Sequence, residues 1–581
     1  MSGKVADFES VVTPDNLASE IANRWTEWRS YRAKWEEEKK ELRNYLYATS
    51  TKTTSNAVLP WSNTTTTPKL TQIADNLHAN YMATLFPQTK WMKWEALDKE
   101  SNYLRKRDII QSYMENKLRQ SDFVNVASKL VQDYIQYGNC FATVEFERSF
   151  RMKDDGNPVL NYIGPRLVRI SPHDIVFNPT AVSFEKTPKI IRSIVDLGEL
   201  RQMIEDNPEQ VYFKEVFDKM AYARGAVTGS DVQWSKSDGF IADGFGSIQH
   251  YYGSGYVELL HFYGDYYDIT TGVLMRDRVI TVADRAYVLN NVENPSWNGR
   301  APIFHAGWRE RPDNLYAMGP LDNLVGMQYR IDHLENLKAD VFDQIAYPVM
   351  KIKGDVEDFD FEPGARIYMG EEGDVGYLVP DATALQADFQ IRTLEDKMEE
   401  MAGAPRQAMG IRTPGEKTAF EVQQLQNSAS RIFEHKAAHF ERIFLEPILN
   451  AMLEVSRRNL DIVEQISVLD EASGATVFVE ITKEDIVGNG KIVPVGARHF
   501  AERARRVQNL QQLWMVKQND PSVAAHLSGK KFAKILAEEL GEPDLFGENI
   551  AVQEQMETQM SAQDQEADMM EQMQISAEVG L

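Results

Sequence analysis

The chain has 581 residues, of which 43% are hydrophobic, enough for a substantial core, so a disordered protein is excluded. It carries 87 acidic and 63 basic residues, and the net charge of −24 repels nucleic acid and anionic membranes. Any contact with DNA must therefore be local, weak or sliding.

The single cysteine, Cys140, excludes an intramolecular disulfide framework and a cysteine-based zinc site, and it favours a reducing cytoplasm. No apolar run is long enough to span a membrane, and residues 1–12 lack the charge order of a signal peptide. We therefore expect a soluble protein with no direct membrane contact.

The N-terminal part predicts helices. Residues 15–48 place Trp28, Trp35 and Leu42 at heptad spacing, a stripe typical of packing against a core. Thr67-Pro68 predicts the start of a second helix, with an apolar face of Leu70, Ile73, Leu77, Tyr81 and Leu85. Further helices are expected at about 100–119 and 122–137.

From about residue 140 to 310 the sequence predicts mostly strands, because apolar residues alternate and turn residues separate the runs. An interrupted helix is expected at 186–223, and the glycine-rich insert at 225–256 is interpreted as a surface loop.

Two helices then bracket a small β module. The helix at 321–345 aligns Leu324, Met327, Ile331, Leu334, Val341 and Ile345. Three strand-like runs follow: VMKIKG, ARIYMG and VGYLVP. The second helix, 384–402, has an apolar stripe of Ala387, Ile391, Leu394, Met398 and Met401, and Gly403 and Pro405 end it.

A loop leads from this helix into a longer one. Thr413-Pro414-Gly415-Glu416 has the pattern of a capped helix start, and the helix is predicted to run to about residue 459. Pro447 inside it is expected to kink it. The runs ATVFVEI and KIVPVGA predict a strand pair, followed by helices at about 500–518, 529–540 and 549–575. From Glu548 onward, the chain has eight acidic residues and no lysine or arginine, typical of a solvated helical tail or of disorder.

Catalytic motifs are weak throughout. Gly410 and Gly415 to Thr418 resemble a phosphate-binding loop, but Glu416 separates Gly415 from Lys417 and a helix precedes the loop. His435 and His439 are four residues apart on a helix, without a third metal ligand at a suitable spacing. We therefore predict that the chain is not an enzyme and has no cofactor or metal.

The order of elements is more informative. The chain order resembles that of tailed-bacteriophage portal proteins, most like those of short-tailed phages. In that family a stem helix, a clip, a second stem helix, a tunnel loop and a wing helix follow one another, as the helix, β module, helix, loop and kinked long helix do here. The stretch GAPRQAMGIRTPGEKTAFEVQQLQ resembles the segment where the tunnel loop enters the wing helix. Supporting stretches are PWSNTTTTPKLTQIADNLHANYMATLFP, LVQDYIQYGNCFATVEFER and KEDIVGNGKIVPVGARH. The resemblance covers most of the chain, and its specificity lies in the order.

The resemblance implies an α+β portal-type fold in a ring, usually of twelve subunits, at one capsid vertex of the virion, assembled in the bacterial cytoplasm. It implies a channel for packaging and ejection of double-stranded DNA. The implied partners are the major capsid protein, a terminase packaging motor on the clip, and adaptor or tail proteins.

The resemblance also implies a domain scheme. Its parts are an N-terminal helical region (1–50), a wing (51–320 with 414–500), stem helices (321–345 and 384–402), a clip (346–383), a tunnel loop (403–413), a crown (501–560) and an acidic tail (561–581).

The loop residues expected to face the channel are Arg406, Gln407, Met409 and Arg412, which would touch DNA transiently. Alternatively, Arg406 and Arg412 form ion pairs with Glu399 or Glu400 around the ring. Glu395, Glu399 and Glu400 are predicted to form an acidic channel wall that repels phosphates over a Debye length of about 8 Å.

Two other functions stay open. The near-match at Gly410 to Thr418 is compatible with a nucleotide-driven DNA translocase, and the acidity and helical content are compatible with a capsid or scaffold-type assembly protein.

Overall fold

The computed structural model describes residues 14–47, 63–87, 91–97, 104–152, 158–206, 214–226, 255–267, 272, 274–296, 299–357, 366–378, 386–402, 432–460, 464–469, 476–496, 510 and 513–514. Helices and strands both occupy large parts of these ranges, which confirms the predicted α+β class. None of the described helices is long and apolar enough to cross a membrane.

The described residues divide into two compact units, one from Met1–Ala83 and Ser121–Val455 and the other from Thr84–Gln120 and Ser456–Leu581. The described helices are α1 (Pro14–Ser30), α2 (Ala33–Leu46), α3 (Lys69–Leu85), α4 (Leu104–Gln120), α5 (Phe123–Gln136), α6 (Leu197–Asp206), α7 (Lys214–Ala226), α8 (Val325–Ala346), α9 (Asp388–Ala402), α10 (432–459) and α11 (Lys483–Ile486).

The described strands are β1 (Met92–Ala96), β2 (Asn139–Met152), β3 (Pro158–Ile170), β4 (Ile175–Phe177), β5 (Lys189–Asp196), β6 (Tyr256–Tyr267), β7 (Leu274–Ala283), β8 (Tyr287–Glu293), β9 (Ile303–Gly307), β10 (Arg309–Arg311), β11 (Asn314–Met318), β12 (Val349–Lys353), β13 (Asp374–Leu378), β14 (Glu464–Leu469), β15 (Thr476–Ile481) and β16 (Gly490–Pro494). They form antiparallel sheets in the orders β4-β5-β6-β7-β8 and β3-β2-β9, with the pairs β10-β11, β12-β13, β14-β15 and β1-β16.

The five-stranded sheet forms the main core of the first unit. Because successive side chains of a strand point to opposite faces, β6 supplies Leu260 and Phe262 to one face and Leu259 to the other. The first face packs against α1 through Leu17 and Trp25, and the second face packs against α6 and α7. Residues 189–196, predicted as part of a helix, are strand β5, since they pair along their length with β6.

The N-terminal helix is broken, contrary to the single helix predicted for 15–48. α1 and α2 are separated at Tyr31 and Arg32. The Arg32 side chain is buried and donates hydrogen bonds to the carbonyl oxygens of Pro172 and Ile175 at 2.7 and 2.6 Å. These distant acceptors favour the break, because a buried guanidinium group needs partners.

The second helix is predicted correctly. α3 begins directly after Thr67-Pro68, and all five apolar side chains of the predicted face are buried.

The predicted pairing of ATVFVEI with KIVPVGA is wrong. β15 pairs with β14, whereas β16 pairs with β1, which lies about four hundred residues earlier in the chain. Gly490 in β16 lies against the indole of Trp94 in β1, where a Cβ atom would come within 2.4 Å of the ring. The pairing was missed because it depends on contacts between distant segments.

The helix that contains Pro447 is irregular. In α10, residues 432–440 and Glu446–Asn459 are α-helical, and Glu441–Leu445 between them is π-helical, with the Glu446 amide donating to the Glu441 carbonyl. Pro447 has no N–H for the carbonyl four residues earlier, and a widened turn avoids its clash with that carbonyl. The departure from α-helical geometry thus lies directly before Pro447.

Candidate functional site: stem helices and clip sheet

The candidate site is built from α8, α9 and the two strands β12 and β13, which we call the clip sheet. α8 and α9 lie against each other, and the Lys338 ammonium group of α8 bonds Asp388 at the start of α9 at 2.5 Å. This contact lowers the pKa of the Asp388 carboxyl. The β module is therefore connected at both ends to helices that pack against each other.

One buried face of α8 is polar. Four of its side chains, one in every fourth position, are at most 6% exposed: Gln328, Asp332, Asn336 and Asp340. Residues four apart lie on the same face of a helix, so these four form a continuous row. We call this row the seat, and the extended residues 63–67 that lie on it the strap.

The seat binds the main chain of the strap. Asn336 makes two hydrogen bonds with the main chain of Thr65: its Oδ1 atom accepts from the Thr65 N–H at 2.8 Å, and its Nδ2 atom donates to the Thr65 carbonyl oxygen at 2.9 Å. The amides of Thr67 and Asn63 donate to Asp332 and Asp340 at 2.9 and 2.6 Å. The strap is therefore held by its backbone at every second residue.

The seat also corrects the predicted apolar face of the first stem helix. Leu324, Ile331 and Leu334 are buried as expected, whereas Met327, Val341 and Ile345 are only half-buried. The sequence does contain a signal for the seat, because polar residues recur at 328, 332, 336 and 340. From the sequence alone, this polar row cannot be told from a solvent-exposed face, because its partner, the strap, is far away in the chain.

The predicted acidic wall on α9 does not behave as one surface. Glu400 is exposed and Glu395 is half-buried, but Glu399 is 4% exposed and its carboxylate lies 2.6 Å from the Lys69 ammonium group of α3. Glu399 is therefore not part of an exposed acidic face in this chain. Glu399 lies on the side of α9 that also carries the buried Met398 and Ala402.

The predicted apolar stripe of α9 is partly correct. Ile391 and Met398 are buried, while Met401 is 46% exposed. Ala402 is buried at the end of the helix instead.

The clip sheet exposes apolar side chains on both faces. Val349 and Ile352, which point to opposite sides of β12, are 65% and 55% exposed. Other large apolar side chains at least half exposed nearby are Phe342, Tyr347, Tyr368, Met369, Tyr377, Leu378 and Phe389. Of the three predicted strand-like runs, VMKIKG and VGYLVP pair, and ARIYMG contributes one bridge, from Met369 to Val356.

The predicted tunnel-loop residues Arg406, Gln407, Met409 and Arg412 lie outside the described residues, as do the capped helix start, the phosphate-loop near-match, most of the crown and the acidic tail. The domain scheme as a whole stays a prediction.

The two histidines of α10 differ in their surroundings. His435 is exposed, and the His439 Nε2 atom lies 3.6 Å from the Glu310 carboxylate. This histidine lowers the pKa of the Glu310 carboxyl by hydrogen bonding. Within the described ranges, no group of three or more His, Cys, Asp or Glu side chains has a geometry that could hold a metal ion.

Two packed helices thus present a small sheet with several large apolar side chains at least half exposed, and a large exposed apolar patch is typical of a binding surface.

Comparison with known families gives a match over the N-terminal part of the chain. Residues 18–154, from α1 to just past the end of β2, match the family described as bacteriophage head to tail connecting protein. This match confirms the resemblance to phage portal and connector proteins, and it supports a head-to-tail connecting role as a component of the virion that contacts head and tail components. No curated protein matches the chain.

Proposed function

We propose that the chain is the subunit of a closed ring, of roughly twelve copies, at one vertex of a phage capsid. The ring would be the channel for packaging and ejection of double-stranded DNA. The clips (346–383) of the assembled ring would together first receive the packaging motor and later the adaptor or tail proteins, while the outer part of the ring would contact the major capsid protein.

The main support for this proposal is the exposure of the clip sheet. A two-stranded sheet is marginally stable by itself, and this one has apolar side chains on both faces. A large exposed apolar patch is typical of a binding surface. A neighbouring copy is the occupant that we propose, because a head-to-tail contact repeated by rotation covers the clip sheet of every subunit and closes into a ring.

The charge on α9 is compatible with a DNA channel. Asp396 and Glu400 are exposed, and Glu395 is half-buried. Acidic side chains that face a channel repel phosphates, so a duplex slides without being held by the counterion release that many lysine or arginine contacts would produce. The tunnel loop connects α9 to α10, which places its arginines next to this surface in sequence.

We also propose that the chain is not an enzyme and leaves nucleotide hydrolysis to the motor. The competing hypothesis, a nucleotide-driven translocase, requires ATPase activity that depends on Lys417. ATP hydrolysis by the purified ring that is lost in Lys417→Ala would favour the translocase.

The ring is tested by negative-stain microscopy and mass photometry of the purified full chain. We expect closed rings with a central hole for the wild type. Val349→Asp and Ile352→Asp, each on one face of the clip sheet, should shift most of the protein to monomers, since a charge in an apolar contact is costly.

Val182→Asp is the matched control, because Val182 is fully exposed and lies outside the clip. It should leave the rings intact. Monomers of the wild type at all concentrations, or unchanged rings in both clip variants, would contradict the proposal.

A further inference from the structure

The seat on α8 binds mainly the main chain of the strap, and the Asn63 side chain adds one hydrogen bond to Asp340 at 2.9 Å. Four helical residues rise by about 6 Å and two extended residues by about 6.6 Å, so a row of side chains at every fourth helical position matches alternate peptide groups of a strand. Gln328 continues the row at the end of the strap, where its Oε1 atom accepts from the Leu70 amide at 3.1 Å and its Nε2 atom donates to the Thr67 carbonyl at 2.5 Å.

One member of the seat is a buried acid. Asp332 is 0% exposed. Its Oδ1 atom accepts from the Thr67 amide at 2.9 Å and from Gln328 Nε2 at 2.8 Å. Among the described residues, its Oδ2 atom has no hydrogen-bond partner. Burial raises the pKa of the Asp332 carboxyl from 3.8 to about 6, because an ionised carboxylate loses its hydration there.

The charged groups around the seat do not neutralise Asp332. Lys69, at the start of α3, is paired with Glu399 of α9. Asp340 and Asp343 of α8 accept from Asn63 of the strap. His333, directly after Asp332 in sequence, is stacked with Tyr329, and Lys39 of α2, which also packs against α8, is paired with Asp322. Among the described residues, no lysine, arginine or histidine forms an ion pair with Asp332.

We propose that the strap, residues 63–67, is a proton-controlled clasp that closes on α8 with uptake of a proton by Asp332 and is held more tightly under mildly acidic conditions. A proton placed on Oδ2 removes the buried charge, while Oδ1 continues to accept the Thr67 amide. When the strap opens, Asp332 regains water and ionises at its ordinary value.

The direction of the effect follows from proton linkage. The closed state binds more protons than the open state between the open value of 3.8 and the closed value of about 6. The contribution to closure is therefore complete below 3.8 and is lost as the pH rises through 6. From these two values, the closing equilibrium constant should fall by about tenfold between pH 5 and pH 7.

The clasp has a structural consequence beyond the strap itself. The strap runs directly into α3, and Lys69 at the start of α3 is paired with Glu399 of α9. Opening the strap would release α3 from one of its connections to the stem helices, and this holds whether or not the chain forms a ring.

Hydrogen exchange measured by mass spectrometry on the full-length protein tests the clasp. After correction for the intrinsic exchange rate, the protection of the strap amides in the wild type should fall by about tenfold from pH 5 to pH 7. The amides of β5 serve as an internal reference and should not change in this way.

Two variants test whether Asp332 is the group that causes the pH dependence of strap protection. Asp332→Asn keeps an oxygen acceptor without a titratable charge, so its strap protection should not depend on pH. His333→Asn removes the neighbouring histidine and should keep the wild-type pH dependence. Wild-type strap protection that is the same at pH 5 and pH 7, or pH dependence that disappears in His333→Asn and persists in Asp332→Asn, would overturn the proposal. If Asp332→Asn does not fold, the pH dependence of strap protection in the wild type still tests the proposal.

Discussion

The middle of α8 differs from the C-terminal end of this helix and the clip sheet that follows it. Along its middle, polar side chains such as Asp332 and Asn336 are buried and hydrogen-bonded to the strap. At its C-terminal end and in the clip sheet, apolar side chains such as Tyr347 and Val349 are 80% and 65% exposed. A helix in an ordinary monomer has the reverse arrangement, with apolar residues inside and polar residues outside.

The difference indicates whether the seat and the clip sheet each find their contacts within the chain or outside it. The seat is complete within the chain, because the strap satisfies its polar groups. The clip sheet is incomplete within the described chain, because Val349, Ile352 and Leu378 stay more than half exposed to water. Substitutions in the seat should therefore change the stability of the subunit, and substitutions in the clip should change its assembly.

The largest effect on stability is expected at the buried ion pair beside the seat. Lys69→Met removes the ammonium group that lies 2.6 Å from the buried Glu399 carboxylate, which should lower the free energy of unfolding by about 3–5 kcal/mol. Chemical denaturation with a fluorescence readout measures the change.

The double variant Lys69→Met with Glu399→Met is the control for this pair, and it should recover most of the loss because no uncompensated charge remains. A single variant as stable as the wild type would show that Glu399 reaches water, which its burial contradicts.

A smaller effect is expected inside the seat. Asn336→Ala removes both hydrogen bonds to the main chain of Thr65 and should cost about 1–3 kcal/mol in unfolding free energy. Asn323→Ala is the matched control, since Asn323 is exposed in the short helical turn before α8, and it should stay within about 0.5 kcal/mol of the wild type. Equal losses in both variants would mean that the strap contributes nothing specific.

The smallest effect on stability is expected on the exposed side of α9. Glu400→Gln should change the unfolding free energy by less than about 0.5 kcal/mol, because the carboxylate is exposed. If the ring forms, the variant should retain duplex DNA slightly more at low ionic strength, and added salt should abolish the difference. Fluorescence anisotropy with a labelled duplex at several salt concentrations measures this, and a difference that salt leaves unchanged would argue against an acidic channel wall.

Much of the local structure could be predicted from the sequence. The start of α3 follows from Thr67-Pro68, and its buried face follows from the helical spacing of Leu70 to Leu85. The two paired strands of the clip sheet follow from their apolar runs between glycines and prolines. These features depend on residues close together in the chain, so local spacing is sufficient to find them.

Other features depend on segments far apart. The pairing of β1 with β16 and the break between α1 and α2 at Arg32 are decided by partners far away in the sequence. Glu399 was predicted to belong with Glu395 and Glu400 because the three share a charge and a helix. Its burial depends on Lys69, which approaches α9 only in the folded chain.

The sequence by itself determined the α+β class, the order of helix, small sheet and helix, and the resemblance to phage portal proteins, because these depend on periodicity, turn residues and order. The tertiary structure alone decided which side of α8 and of α9 is inside. Burial is set by what packs against a residue, and the strap and Lys69 reach α8 and α9 from more than 250 residues away in the chain. For this reason the polar row on α8 is buried beneath the strap, whereas the apolar side chains of the clip sheet are exposed.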